Sequence, residues 1–332
     1  MIDFVDSQVN YGKSVFGPDC DLDYYDIKAR EIGITRALVM PTITHELKIS
    51  NLIERSCIWE KENDHITYTL HILRGNNWEI KPAKSNPYSL MNFHTLEKIR
   101  ELNRNSQIKY YFLPKVHPFL DTKEELERLL NEEETVGIKI NGLATHTSPK
   151  DMPEWIVKIA NEYDVVIFVH TDFLNPNLED NRTPDYLKHI IHSNCPIGWL
   201  KWAQQYSPKK IYFAHLARMD DNVAREIYNL ENISIGIGPD IMLQDEPIRL
   251  KNSTNNILND ALKIFNFKQL MYSTDFAWNV FDRREWGNFD WETHQRLKKE
   301  ALALNLSEYQ LYRILGQNAI DFFQLDKHNV KC

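Results

Sequence analysis

Cysteine is sparse and scattered. Cys20, Cys57, Cys195 and Cys332 never fall in a CxxC spacing, which excludes a zinc knuckle and a disulfide framework and reads as reduced thiols in a cytosolic protein. Positive charge is also short. The formal net charge is -8, so neither nucleic acid nor an anionic membrane is expected as a general partner, although local basic patches stay open. No apolar run reaches the length of a membrane span. The opening "MIDFVDS" has an acidic residue and no basic n-region, so no signal peptide is expected and a cytoplasmic location is. Glycine numbers only 11, beside abundant Asn, Lys and Ile, which reflects sequence bias rather than function. There is no internal repeat and no low-complexity segment. What is present is an ordinary globular composition, 42% hydrophobic and 26% charged over 332 residues, enough for one large domain or two smaller ones.

Short apolar runs alternate with amphipathic segments almost to the end. The strand candidates are "IDFVDSQV", "RALVMPT", "KYYFLPKVHP", "VGIKING", "VVIFVHTD", "KIYFAHLAR", "ISIGIGPD" and "QLMYSTDFAW". Each is rich in Val, Ile, Tyr or Phe and has the length of a buried parallel strand. Between them, "TKEELERLLNEE" offers Thr122 as N-cap with Glu125 three residues on, a capping box. "PEWIVKIANEYD" places Pro153 in the first turn and Trp155, Ile156, Ile159 and Ala160 on one face. "DNVAREIYNL" and "GWLKWAQQY" are similar. Eight strands alternating with helices predict a (β/α)₈ TIM barrel of the α/β class, with a doubly wound open sheet as the alternative. A single domain, 1–332, follows.

One region breaks the rhythm. More than sixty residues separate the second and third strands, too many for one barrel helix. Within them, "HITYTLHILRGNNWEIKP" alternates like an antiparallel hairpin turning at "RGNN", so residues 58–92 are expected as an insertion after strand two. Further excursions follow the fifth and seventh strands. Loops after barrel strands line the catalytic face.

The strands end in polar residues: Gln8 and Asn10; His117; Lys139 and Asn141, with His146 beyond; His170 and Asp172; His215, then Arg218; Asp240; and Asp275. One such residue is more often a satisfied structural group than a catalyst. The same placement on seven strands predicts a binding mouth. His170, His215 and Asp275 suit a divalent metal in type, and a metal there would generate a nucleophilic water. Trp78, Trp199, Trp202, Trp278 and Trp286 suggest a partly apolar or ring-bearing ligand. Trp199 and Trp202, at helical spacing, read as core, and Trp278, three residues past Asp275, as pocket lining.

"VDSQVNYG", "VGIKING", "VVIFVHTD", "IYFAHLAR", "MYSTDFAW" and the closing "YRILGQNAIDFF" resemble the amidohydrolase superfamily, in the branch with metal-dependent hydrolases and decarboxylases. The resemblance runs from residue 1 to about 325 in order, outside the insertion. It implies a (β/α)₈ barrel whose metal is held by a His-x-His pair on strand one, by His170, by His215 and by Asp275, which also shuttles a proton. Lys139 falls where some branches carry a carboxylated lysine. In place of the His-x-His pair stand Gln8 and Asn10, whose amide nitrogens have no free lone pair. The leading expectation is therefore a hydrolase or related isomerase or decarboxylase with a degenerate or absent metal site. Asp275 acts there as general acid/base, His170 and His215 transfer protons, and Gln8, Asn10, His117, Lys139, Asn141, His146, Asp172, Arg218 and Trp278 bind a small substrate. The cofactor is none, or one divalent metal, with zinc first. The alternatives are a conventional metal-dependent hydrolase using His170, His215 and Asp275, and an inactive barrel serving as a binding protein. Apolar helix faces suggest a homodimer.

Overall fold

The apolar runs become short strands. In chain order, β1 (Val5–Lys13), β2 (Asp19–Cys20) and β3 (Arg36–Pro41) are followed by β4 (Glu46–Ile49), β5 (Leu52–Glu62), β6 (His65–Arg74) and β7 (Asn77–Pro82). Then come β8 (Lys109–Phe112), β9 (Gly137–Ile140), β10 (Val166–Val169), β11 (Ile211–Phe213), β12 (Ile233–Gly236) and β13 (Leu270–Met271). This computed structural model describes residues 3–13, 19–42, 46–49, 52–62, 65–74, 77–82, 86, 88–145, 147–171, 194–228, 230–238, 257–276 and 289–327. The excursion after the seventh strand, most of the one after the fifth, and His146, Asp172, Asp240, Trp278 and Trp286 lie outside them.

Among the described residues, β1, β3 and β8 pair in parallel, as do β9 through β13 in sequence order. The two arcs meet at both seams. Phe112 bridges Thr135 and Lys115 bridges Lys139 on one side, and Val9 bridges Phe276 on the other. There Ser7 N–H donates to Tyr272 O at 3.1 Å and Asn10 N–H to Phe276 O at 2.7 Å. The fold is the (β/α)₈ barrel.

Side chains alternate across each strand, as the two-residue period demands. Leu38, Met40, Tyr111, Val166, Phe168, Tyr212 and Met271 fill the barrel interior. Val39, Phe112, Ile138, Ile140, Ile167 and Phe213 face the helices. Register lines Lys139 of β9 up with Phe168 of β10, and Phe168 with Tyr212 of β11. Phe168 and Tyr212 stack at 4.2 Å. Gly236 is required beside them, because a Cβ there would collide with the Tyr212 ring.

Local chemistry sets the helices. Asp21 caps α1 (Leu22–Ile32) and Gly33 closes it in the left-handed conformation, φ 88°. No side-chain cap opens α2 (Ser89–Asn105), whereas Thr122 and Glu125 make the expected capping box on α3 (Lys123–Leu130). After the short α4 (Gly142–Thr145), Pro153 serves as N-cap of α5 (Glu154–Glu162), just ahead of the first turn rather than in it. Trp199 and Trp202 of α6 (Pro196–Tyr206) are buried against one another as core.

The insertion is larger than a hairpin. β4 to β7 form consecutive antiparallel pairs that grow from the end of β1, where Lys13 pairs with Glu46. The hairpin at "RGNN" is β6–β7, with Arg74 opposite Asn77. Antiparallel pairing begins at Glu46, before the boundary expected from the sequence, because the four-residue β4 is too short to show an alternation. No helix among the described residues is long and apolar enough to cross a membrane.

Candidate active site

The C-terminal ends of β1, β11 and β13 bring Gln8, Asn10, His215 and Asp275 together. A register shift in β1 between Asp6 and Val9 reverses the alternation: Val5 packs into the barrel interior, whereas Val9 packs into the outer core and leaves Gln8 and Asn10 to the inner face. Gln8 Nε2 and Asn10 Nδ2 both donate to Asp275 Oδ1, the latter at 3.0 Å. The other carboxylate oxygen, Oδ2, lies 3.8 Å from His215 Nε2. His170 meets His215 edge to face, with ring centroids 4.7 Å apart. Burial raises the Asp275 carboxyl above the ordinary carboxylate range, against the lowering pull of His215, Lys139 and the two amides. Burial, then the charges of His215, Lys139 and Arg218, push His170 well below the usual imidazole range, so it is neutral at neutral pH.

The backbone here is unusual. His215, Leu216, Ala217, Arg218 and Met219 all have positive φ, from 46° to 56°, and Asp275 has φ 54°. Five successive L-residues in a left-handed turn are costly, and such strain persists only where the surroundings enforce it. The turn carries Arg218 with His215 into the protein, where Arg218 is 3% exposed.

Two charged residues inside apolar runs, Asp6 and Lys115, are buried beside the site. Asp6 is fully buried and accepts four hydrogen bonds: Thr274 N–H at 2.9 Å, Thr274 Oγ1 at 2.6 Å, Tyr25 OH at 2.8 Å and Gln8 N–H at 3.2 Å. It thereby ties the backbone of Gln8 to the residue preceding Asp275. Burial pushes its carboxyl up to about 6. Lys115, beside Lys139, donates from Nζ to Thr42 O at 2.5 Å and lies 4.5 Å from the Tyr88 ring centroid. The available sequence signal was a charged residue inside an apolar run.

The other expected residues are placed as follows. Lys139 points into the barrel, its Nζ 3.8 Å from the Phe168 ring centroid. His117 is buried, held by its own turn through Phe119 N–H to Nδ1 at 3.4 Å, and burial lowers it to about 4. Asn141 anchors the entry to α4, accepting from Thr145 on its carbonyl and from Asn194 on Oδ1. A recess of about 620 Å³ lies at the opposite end, lined by Lys210, Asn232, Gln269 and Asn318 near the starts of strands, the end that serves stability in such barrels.

A divalent metal fits poorly. The positions aligned by resemblance with a His-x-His pair are amides, and both aim N–H groups at Asp275 Oδ1, where a cation would need lone pairs. Among the described residues, no three His, Cys, Asp or Glu side chains are grouped to hold an ion.

The family model described as Amidohydrolase matches residues 107–325. The match begins after β1. No curated protein matches the sequence. Among solved structures, a 2,6-dihydroxybenzoate decarboxylase from Rhizobium is 14% identical with TM-score 0.59, covering 98% of this chain and 100% of its own. A Novosphingobium aromaticivorans 5-carboxyvanillate decarboxylase, solved as a mutant with bound manganese and a nitrobenzoic acid, is 9% identical with TM-score 0.57, covering 97% of both. A Pseudomonas putida protein assigned as a 2-pyrone-4,6-dicarboxylic acid hydrolase is 12% identical with TM-score 0.56, covering 98% of this chain and 99% of its own. These likenesses are likenesses of fold.

Proposed function

The chain belongs to the amidohydrolase family, an enzyme family, and from that premise we propose that it transforms a small carboxylate through Asp275, without a metal. The carrying observation is the pairing of Asp275. Gln8 and Asn10 donate to one oxygen, and the other faces His215. In this reading the amides replace the imidazole clamp and orient the carboxyl. Its raised proton affinity brings it toward the range useful for acid/base work at neutral pH. In hydrolysis of a lactone or amide, water attacks the carbonyl carbon and Asp275 takes its proton. Asp275 then returns the proton to the leaving oxygen or nitrogen. In decarboxylation the same group protonates the carbon that loses CO₂. His170 and His215 exchange that proton with solvent, and Arg218 holds the substrate carboxylate as a two-pronged donor. The fold relatives named for ring carboxylates support an anionic, ring-bearing substrate class.

The test is turnover of lactones and ring carboxylates in the presence of a chelator. Activity is expected to survive chelation and to fall about 10²- to 10⁴-fold in Asp275→Asn, the usual worth of a general acid/base. Loss on chelation with recovery on manganese or zinc would establish the metal-dependent reading instead. An unchanged Asp275→Asn rate removes Asp275 from the mechanism.

A further inference from the structure

The mouth contains a lysine that the acid/base scheme does not use. Lys139 is 3% exposed. Its backbone is fixed between strands, with Lys139 N–H donating to Pro114 O at 2.8 Å and Val116 N–H to Lys139 O at 3.0 Å. Its Nζ rests on the Phe168 ring and finds no hydrogen-bond acceptor among the described residues. The segment after β8 contributes a second buried lysine, Lys115, which bridges Lys139.

This is a poor place for an ammonium ion. A buried charge without a bonded counter-ion carries a large desolvation penalty. The Phe168 face offsets only part of it. Lys115 adds like-charge repulsion, and Asp275 opposes both from a distance too long for an ion pair. Burial chiefly, with Lys115, holds the amine well below its usual range. A purely structural buried lysine would spend its donors on carbonyls, as Lys115 does on Thr42. Lys139 Nζ has no such acceptor among the described residues, and burial favours its neutral form, the form that acts as a nucleophile.

We propose that Lys139 is a covalent catalyst that forms an imine with the ketone carbonyl of a small β-keto carboxylate bound in this mouth. The inference rests on the preceding reading for its proton donor, Asp275. Lys139 Nζ attacks the carbonyl carbon, the nitrogen loses a proton, and the oxygen gains one through Asp275. A second proton from Asp275 releases that oxygen as water and leaves an iminium. The bond between the adjacent carbon and its carboxylate then breaks. Its electron pair becomes the carbon–carbon double bond of an enamine, the iminium π pair goes to nitrogen, and CO₂ departs. A solvent proton relayed by His215 and Asp275 adds to the enamine carbon. Water hydrolyses the new iminium, releasing the ketone and restoring the amine. The net change is β-keto carboxylate plus one proton giving ketone plus CO₂.

The experiment incubates the full-length protein with acetoacetate and sodium borohydride, which reduces the iminium to a stable secondary amine, and maps the adduct by peptide mass spectrometry. One adduct per chain on Lys139 is expected, absent in Lys139→Met, together with incorporation of oxygen from ¹⁸O-water into each acetone formed. No adduct on Lys139 in the wild-type protein overturns the proposal, as does turnover that persists in Lys139→Met. The wild-type trap needs no variant to fold. Failure to trap Lys139, with activity still lost in Asp275→Asn, removes the imine and leaves the acid/base reading standing. A trapped Lys139 with an unchanged Asp275→Asn rate keeps the imine but overturns Asp275 as its proton donor, and with it the acid/base reading.

Discussion

Replacing Asp6 by asparagine is expected to stabilise the protein at neutral pH while leaving it unchanged in acid. The folded carboxyl sits at about 6 against an ordinary 3.8. Its folded value is raised, so protonation favours the folded state. That stability is fully present below 3.8 and is lost as pH rises through about 6. The gap corresponds to about 3 kcal/mol. Asparagine keeps an oxygen for the two backbone donors on Oδ1, Thr274 N–H and Gln8 N–H, and turns an N–H₂ toward Tyr25 OH and Thr274 Oγ1. Hydroxyl groups rotate from donating to accepting at little cost. Asp6→Asn should therefore gain up to about 3 kcal/mol over wild type at pH 7.5, with the gap closing toward pH 4. Asp6→Ala instead orphans four donors, at about 1 kcal/mol or more each, and should lose about 4 kcal/mol or more. Urea unfolding followed by circular dichroism at several pH values, with equal slopes, measures both. Parallel stability-pH curves for wild type and Asp6→Asn would refute the argument that Asp6 is charged at a cost.

Gly316→Ala should destabilise by about 3 kcal/mol or more, since a methyl group there runs into the carbonyl of Asp3 just ahead of β1; thermal unfolding reads this directly. Gln8→His combined with Asn10→His should take up near-stoichiometric zinc by elemental analysis. Failure to do so would show that these positions are not those of the imidazole clamp.

His170, His215 and Asp275 are legible in the sequence because each ends or closely follows a continuous apolar run, and the barrel then converges what the runs end in. Asp6 and Lys115 are not legible. Each lies inside a run, and the partners that give it meaning are elsewhere: Thr274 is 268 positions from Asp6. The insertion's alternation is visible, but its first strand has only four residues. The left-handed turn is hidden for a different reason. "HLARM" contains no glycine to mark positive φ, so local preference argues against what the tertiary structure imposes.

That turn has a consequence for the order of assembly. At about 1–2 kcal/mol per residue, its five left-handed residues cost on the order of 5–10 kcal/mol, comparable to the whole net stability of an ordinary domain. An isolated segment will not hold such a shape, and only neighbours already in place can enforce it. The 3.8 Å approach of His215 to Asp275 is thus expected to be set late, so that changes there should speed unfolding more than they slow folding. A chain with its strands and helices formed but this turn unformed would lack the site, so activity should report on completion of the entire barrel.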